Sequence, residues 1–162
     1  MKVFIGADHR GYKLKEKLKR WLAGMGYKIK DCGAIEEIPK DDYVTYAMKV
    51  AREMVGSAMR NDSEASEGSR GIVLCGTGVG VDVVVNKVNG VRCGLGLNEE
   101  QVKAARHDDD INVLALAADY IGEEEAKKMV KAFLETEFGG KERYVRRLKK
   151  IKKLEELDNS RI

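Results

Sequence analysis

The chain has 162 residues, 43% hydrophobic and 35% charged, with 17 glycines, one proline and a net charge of +3. That length suits one domain with its own core, and plentiful apolar residues with nearly balanced charge exclude disorder and low complexity. No run approaches the roughly 20 apolar residues of a membrane span, and the first residues lack a signal peptide's hydrophobic region. Cys32, Cys75 and Cys93 show no CxxC spacing and leave one over, which argues against a disulfide framework or a zinc site. A cytoplasmic α/β protein is expected.

Residues 3–7 read as a buried strand that runs into Gly6-Ala7-Asp8-His9-Arg10-Gly11. Asp8 is placed to cap the next helix, and His9 and Arg10 to face an anion or a sugar hydroxyl. Leu14, Leu18, Trp21 and Leu22 mark that helix, which stops near the glycines at 24–26. Residues 27–31 form a second short strand, and 43–59 carry helical spacing through Tyr43, Ala47, Val50 and Met54. The small, polar stretch 61–69 reads as a surface loop.

The third strand, 71–74, leads into Leu74-Cys75-Gly76-Thr77-Gly78-Val79-Gly80, with a helix over 81–88. Alternating glycines let the backbone approach a ligand and aim successive N–H groups at it, and a helix N-terminus adds partial positive charge. A dinucleotide fingerprint would need glycine at Val81, so that reading fails. A fourth strand is expected at 91–95, a helix at 99–106, a fifth strand at 112–117 and a helix at 123–134. The acids Asp108, Asp109 and Asp110 read as a solvated turn rather than a metal site.

Five strands separated by helices predict a three-layer α/β/α sandwich on a five-stranded parallel, Rossmann-like sheet, with ligands at the carboxyl ends of the strands. Residues 1–140 form the single α/β domain. Residues 141–162, with nine Lys/Arg and four Asp/Glu, form a basic helix of the same domain, with Val145, Leu148, Ile151, Leu154 and Leu157 on its apolar face. No aromatic residue interleaves with Lys149, Lys150, Lys152 and Lys153, so neither nucleic acid nor membrane is an expected partner.

Together these residues resemble the ribose-5-phosphate isomerase type B and galactose-6-phosphate isomerase family. The anchors are Asp8-His9-x-Gly11, Asp42-Tyr43-x-x-Tyr46-Ala47, Cys75-Gly76-Thr77-Gly78-x-Gly80, Asn86-Lys87, Gly90-Val91-Arg92, Asn112-Val113-Leu114 and Arg143-x-x-Arg146-Arg147, and the resemblance runs to about residue 151. It implies an aldose–ketose isomerase working through an enediolate without metal or other cofactor. Cys75 would carry the proton between sugar C2 and C1, with Asp8 and Thr77 beside it. The amides of Gly76, Gly78 and Gly80 would hold the oxyanion, and Tyr43 would line the substrate site. His9, Arg143 and Arg147 would hold the phosphate. Family members are dimers or dimer pairs whose partner subunit completes the pocket, so a homodimer or dimer of dimers with shared sites is expected.

Four positions depart from the family pattern, and all four are aspartate. Asp108 falls where the family has its ring-opening histidine, with His107 one residue early, and Asp109 falls where an asparagine stands. Asp82 replaces a small serine and Asp119 an arginine that helps bind phosphate, while Arg10, usually a small residue, can compensate. Asp82 and Asp109 join the substrate-binding set as acceptors for sugar hydroxyls. The leading expectation is a sugar-phosphate isomerase. The alternatives are an isomerase of an unphosphorylated or atypical sugar, and a non-catalytic subunit or sugar-phosphate-binding module. The ring-opening group is His107 or Asp108.

Overall fold

A computed structural model describes residues 1–59 and 68–159. Most of the expected loop at 61–69 and the end of the expected C-terminal helix lie outside the described residues. The elements are β1 (Lys2–Ala7), α1 (His9–Gly24), β2 (Lys28–Asp31), α2 (Tyr43–Met59), β3 (Arg70–Cys75), α3 (Val79–Val85), β4 (Cys93–Leu95), α4 (Glu99–Asp109), β5 (Val113–Ala117), α5 (Glu123–Glu135) and α6 (Glu142–Asn159). All strand pairs are parallel, in the order β2-β1-β3-β5-β4.

The three central strands are the apolar runs, buried on both faces as parallel strands require. Ile5, Ile72, Leu74, Leu114 and Leu116 face α1, α4 and α5. Phe4, Val73, Cys75, Val113 and Ala115 face α2 and α3. The predicted three-layer sandwich is therefore the observed one. α6 packs against α4. Among the described residues no helix is long and apolar enough to cross a membrane.

The chain leaves β1 toward β2, then returns past β1 to β3, so strand order reverses between β1 and β3. Ala7 pairs with Leu74 across that boundary, and the Asp8 N–H donates to the Leu74 carbonyl at 3.3 Å. Asp8 and Cys75 thus emerge side by side at the switch point, where such sheets bind ligands. A buried ion pair supports the β2 side. Lys15, 0% exposed, donates to both Asp31 oxygens at 2.9 Å and to the Ala34 carbonyl at 2.5 Å.

Several boundaries differ from the sequence expectation. β4 starts at Cys93 because the Arg92 N–H is taken by Asn112 Oδ1 at 2.8 Å instead of a strand partner. α3 starts at Val79, inside the glycine motif, so Gly80 is helical. α4 continues to Asp109, placing His107, Asp108 and Asp109 on its last turn. The acids are therefore not a solvated turn. Asp110 closes α4 in a left-handed conformation (φ 48°), and its carboxylate accepts from Arg106 at 2.7 Å and Arg92 at 2.6 Å.

Candidate active site

The carboxyl ends of β1, β3 and β5 carry one group of candidate residues. Asp8 caps α1 as expected, its Oδ1 accepting from the Gly11 N–H at 3.0 Å. Burial pushes its carboxyl above the usual range against that hydrogen bond. Cys75, 5% exposed, ends β3 at the margin of the α2–α3 apolar cluster. Burial pushes the Cys32 thiol up to about 11. Burial and the neighbouring Asp82 push the Cys93 thiol well above its ordinary value.

Beyond Cys75 the backbone folds into a tight cradle. Gly78 caps α3 at φ 72°, and a Cβ there would fall 2.5 Å from Leu95 Cδ1 and 3.1 Å from the Ala117 nitrogen. Only glycine fits both constraints. Thr77 is exposed at the tip, and the Tyr43 ring lies where a side chain on Gly80 would stand. Arg10 lies across Gly76, which has no Cβ to obstruct it, and is held there by an ion pair with Asp119 from the end of β5. The Asp119 N–H donates to the Gly76 carbonyl at 3.0 Å, tying the ion pair to the loop it covers.

His9 is held by Asp41, a residue that sequence reasoning did not single out. Asp41 Oδ1 accepts from the His9 N–H at 2.8 Å and lies 2.7 Å from Nδ1. Asp8, His9 and Asp41 bring ligand atoms within 4.8 Å of one another and are the described residues that could hold a metal. In the chain as it stands, their atoms cap α1 and bind each other. The only sequence signal for Asp41 is its place beside Asp42-Tyr43, because it lies 32 residues from the histidine it holds.

A second group sits at the other end of the sheet. α4 descends from the carboxyl edge and ends just before β5 begins, so His107 and Asp108 lie at the amino end of the strands. Asn112 to Ala117 is five steps of ~3.3 Å, so the two groups stand roughly 16 Å apart along the strands. His107 Nδ1 is 2.6 Å from Asp108 Oδ1. Tyr144, which sequence reasoning did not single out, packs against the His107 ring and accepts from Arg143 Nη2 at 2.7 Å. Arg147 is exposed one turn further along α6.

The structure sets Asp82 on the first turn of α3, behind the Gly78 cap, and Asp109 beside Asp108 on the last turn of α4. Asp82 accepts from Asn86 Nδ2 at 3.1 Å beside Cys93. Asp109 lines a groove of about 520 Å³ with Asn86, Cys93, Ile151 and Leu154, between the β4 edge and α6.

A cysteine beside a preorganised set of amides at a switch point suits proton transfer with a developing oxyanion. The pattern described as Ribose/Galactose Isomerase matches residues 3–151. The chain belongs to that family. The ribose-5-phosphate isomerase B of Mycobacterium tuberculosis is 33% identical over 148 residues, 91% of this chain and 86% of that protein. The crystal structure of ribose-5-phosphate isomerase B from Mycoplasma genitalium with bound ribulose-5-phosphate superposes with TM-score 0.87 at 34% identity, covering 96% of each chain. The ribose 5-phosphate isomerase of Thermotoga maritima gives TM-score 0.82 at 37% identity, over 94% of this chain and 97% of that one. The family resemblance read from the sequence is confirmed, and the chain is an aldose–ketose isomerase, an intramolecular oxidoreductase.

Proposed function

We propose that the protein interconverts ribose 5-phosphate and ribulose 5-phosphate through an enediolate, with Cys75 as the base and no cofactor. The observation that carries this reading is Cys75 beside Asp8 at the switch point, with the amides of the Gly76–Gly80 segment behind it. Cys75 removes the proton from C2 of the open-chain aldose, the electron pair moves toward O1, and the same sulfur returns the proton to C1. Oxyanion donors fixed by Gly78 stabilise the charge that develops, each contributing a few kcal/mol in such sites. Asp8 and Thr77 orient protons at the two oxygens. His9 and Arg10 receive the anionic end of the substrate on this side, and Tyr43 closes the wall over Gly80.

His107, Asp108, Arg143 and Arg147 act in the same reaction from a second copy of the chain. An aldose in water is a closed ring, and opening it needs a proton acceptor that the Cys75 side does not spare. One sugar cannot touch both groups across roughly 16 Å of sheet within one chain. α6 supports this arrangement: Ile151, Leu154 and Leu157 are exposed, Leu154 by 65%, along a stripe that α4 leaves open. A homodimer, or a pair of dimers, with shared sites follows.

The ion pair of Arg10 with Asp119 favours a second reading, because a guanidinium already matched by a carboxylate is a weaker phosphate receptor. On that reading the substrate is an unphosphorylated sugar. Turnover of ribose 5-phosphate, allose 6-phosphate and free aldoses, with inorganic phosphate as competitor, separates the two. Conversion of ribose 5-phosphate with inhibition by phosphate supports the first, and turnover of free sugars untouched by phosphate supports the second. Binding of sugar phosphate with no turnover of any sugar would make the chain a non-catalytic subunit or binding module and overturn both.

A further inference from the structure

Asp8, His9 and Asp41 form a cluster whose charge the chain does not balance. Asp8 is 4% exposed, and the Asp41 side chain 6%. Asp41 Oδ1 accepts from the His9 N–H at 2.8 Å and stands 2.7 Å from Nδ1. Its Oδ2 is buried and has no hydrogen-bond partner. Among the described residues neither carboxylate forms an ion pair with a lysine or arginine, and the neighbouring Arg10 is held by Asp119. Both titratable neighbours feel the unmatched charge. Burial and then Asp41 push the Tyr46 phenol up, and Asp41 adds to the burial that pushes the Asp8 carboxyl up. Buried charges are stable when paired or when they coordinate a metal, and here the first option is not taken. The geometry meets the second. One ligand atom from each residue lies within 4.8 Å of the other two. Ligands of a tetrahedral ion with ~2.1 Å bonds stand about 3.4 Å apart, so side-chain movements of roughly 1 Å gather all three.

We propose that Asp8, His9 and Asp41 form a binding site for a divalent transition-metal ion such as Zn²⁺, and that the ion inhibits isomerisation. The ligands are His9 Nδ1, an oxygen of Asp41 and Asp8 Oδ2, since Asp8 Oδ1 accepts from the Gly11 N–H. The ion replaces the proton between Nδ1 and Asp41, and that proton leaves to solvent. One imidazole with two carboxylates suits Zn²⁺, whereas Mg²⁺ demands octahedral oxygen ligands. Three protein ligands leave the fourth position to water, unlike the closed set of a structural zinc site. The site stands on this geometry alone. The inhibition rests on the isomerase reading, in which Asp8 orients a proton and His9 receives the anionic end of the substrate, because neither can do so while bound to an ion.

The test titrates full-length protein with Zn²⁺ by calorimetry and with Co²⁺ by visible absorption. Cys75→Ala removes the competing soft ligand, and this variant is expected to bind Zn²⁺ as tightly as wild type and to give the intense bands of four-coordinate Co²⁺. Asp41→Asn, whose amide oxygen can still accept from the His9 N–H, is expected to bind about 10–100-fold more weakly or worse, and His9→Gln likewise. Wild-type turnover of ribose 5-phosphate is expected to fall with Zn²⁺ and to recover with a chelator. Binding lost in Cys75→Ala, or unchanged in both Asp41→Asn and His9→Gln, would overturn the site, as would Mg²⁺ binding of equal strength. Binding as expected with turnover unaffected at saturating Zn²⁺ would overturn the inhibition. A wild type that binds Zn²⁺ as expected but isomerises no sugar would instead refute the isomerase reading and leave the site in place.

Discussion

Two inactive variants, Cys75→Ala and the double variant His107→Ala/Asp108→Asn, are expected to regain activity when their subunits are mixed. The reason is the path of the chain: Cys75 ends β3 at the carboxyl edge of the sheet, whereas His107 and Asp108 end α4 at the amino edge. With roughly 16 Å of β5 between them, each substrate site needs Cys75 from one chain and the His107–Asp108 pair from another. Refolding the two variants together in equal amounts makes about half of the dimers mixed. Each mixed dimer has one site built from two intact halves and one built from two defective halves, so the mixture should reach about a quarter of wild-type activity. The assay is ketose formation from ribose 5-phosphate after joint refolding, beside each variant refolded alone. A mixture no more active than the sum of its parents, with mixed dimers demonstrated by native mass spectrometry, would refute the two-copy site.

Gly78→Ala is expected to destabilise the fold by about 2–5 kcal/mol, adding ~1–2 for a left-handed alanine to ~1–3 for overpacking against Leu95 and the Ala117 backbone. A thermal melt should show a fall of roughly 10 °C, and a change under ~2 °C would contradict the geometry. Lys15→Met removes the buried cation from Asp31, which keeps its ion pair with Lys19, and should cost ~1–3 kcal/mol in urea unfolding. Burial raises the Asp31 carboxyl, but hydrogen bonds from Lys19, Lys15 and Gly33 outweigh it and hold the group below its usual range. Its stabilisation is therefore present above the unfolded carboxyl value of about 3.9 and lost as pH falls through the lower folded value. Lys15→Met should weaken that acid dependence, and an unchanged pH profile of stability would contradict it.

The sheet was legible because its central strands are unbroken apolar runs, and the switch point follows from where those runs meet Asp8 and Cys75. The start of β4 was not, because Val91 reads as the first apolar residue of the strand while a side chain 20 residues away takes the Arg92 N–H. Motif spacing identified Cys75 and the glycines, whose chemistry is local. It could not identify Asp41 or Tyr144, whose roles depend on neighbours far along the chain. The acid run misread as a turn shows the same limit: Asp110 is engaged by Arg106, a buried arginine that helix patterning alone does not reveal.

The most direct measurement is hydrogen exchange at sugar C2 in deuterated water, followed by NMR with ribose 5-phosphate. Wild type should convert the sugar to ribulose 5-phosphate and label part of it at C1, where the Cys75 thiol exchanges with solvent before returning its proton. Cys75→Ala, with an unchanged melting profile, should do neither. Labelling by the alanine variant at the wild-type rate would show that the sulfur beside the glycine cradle is not the base.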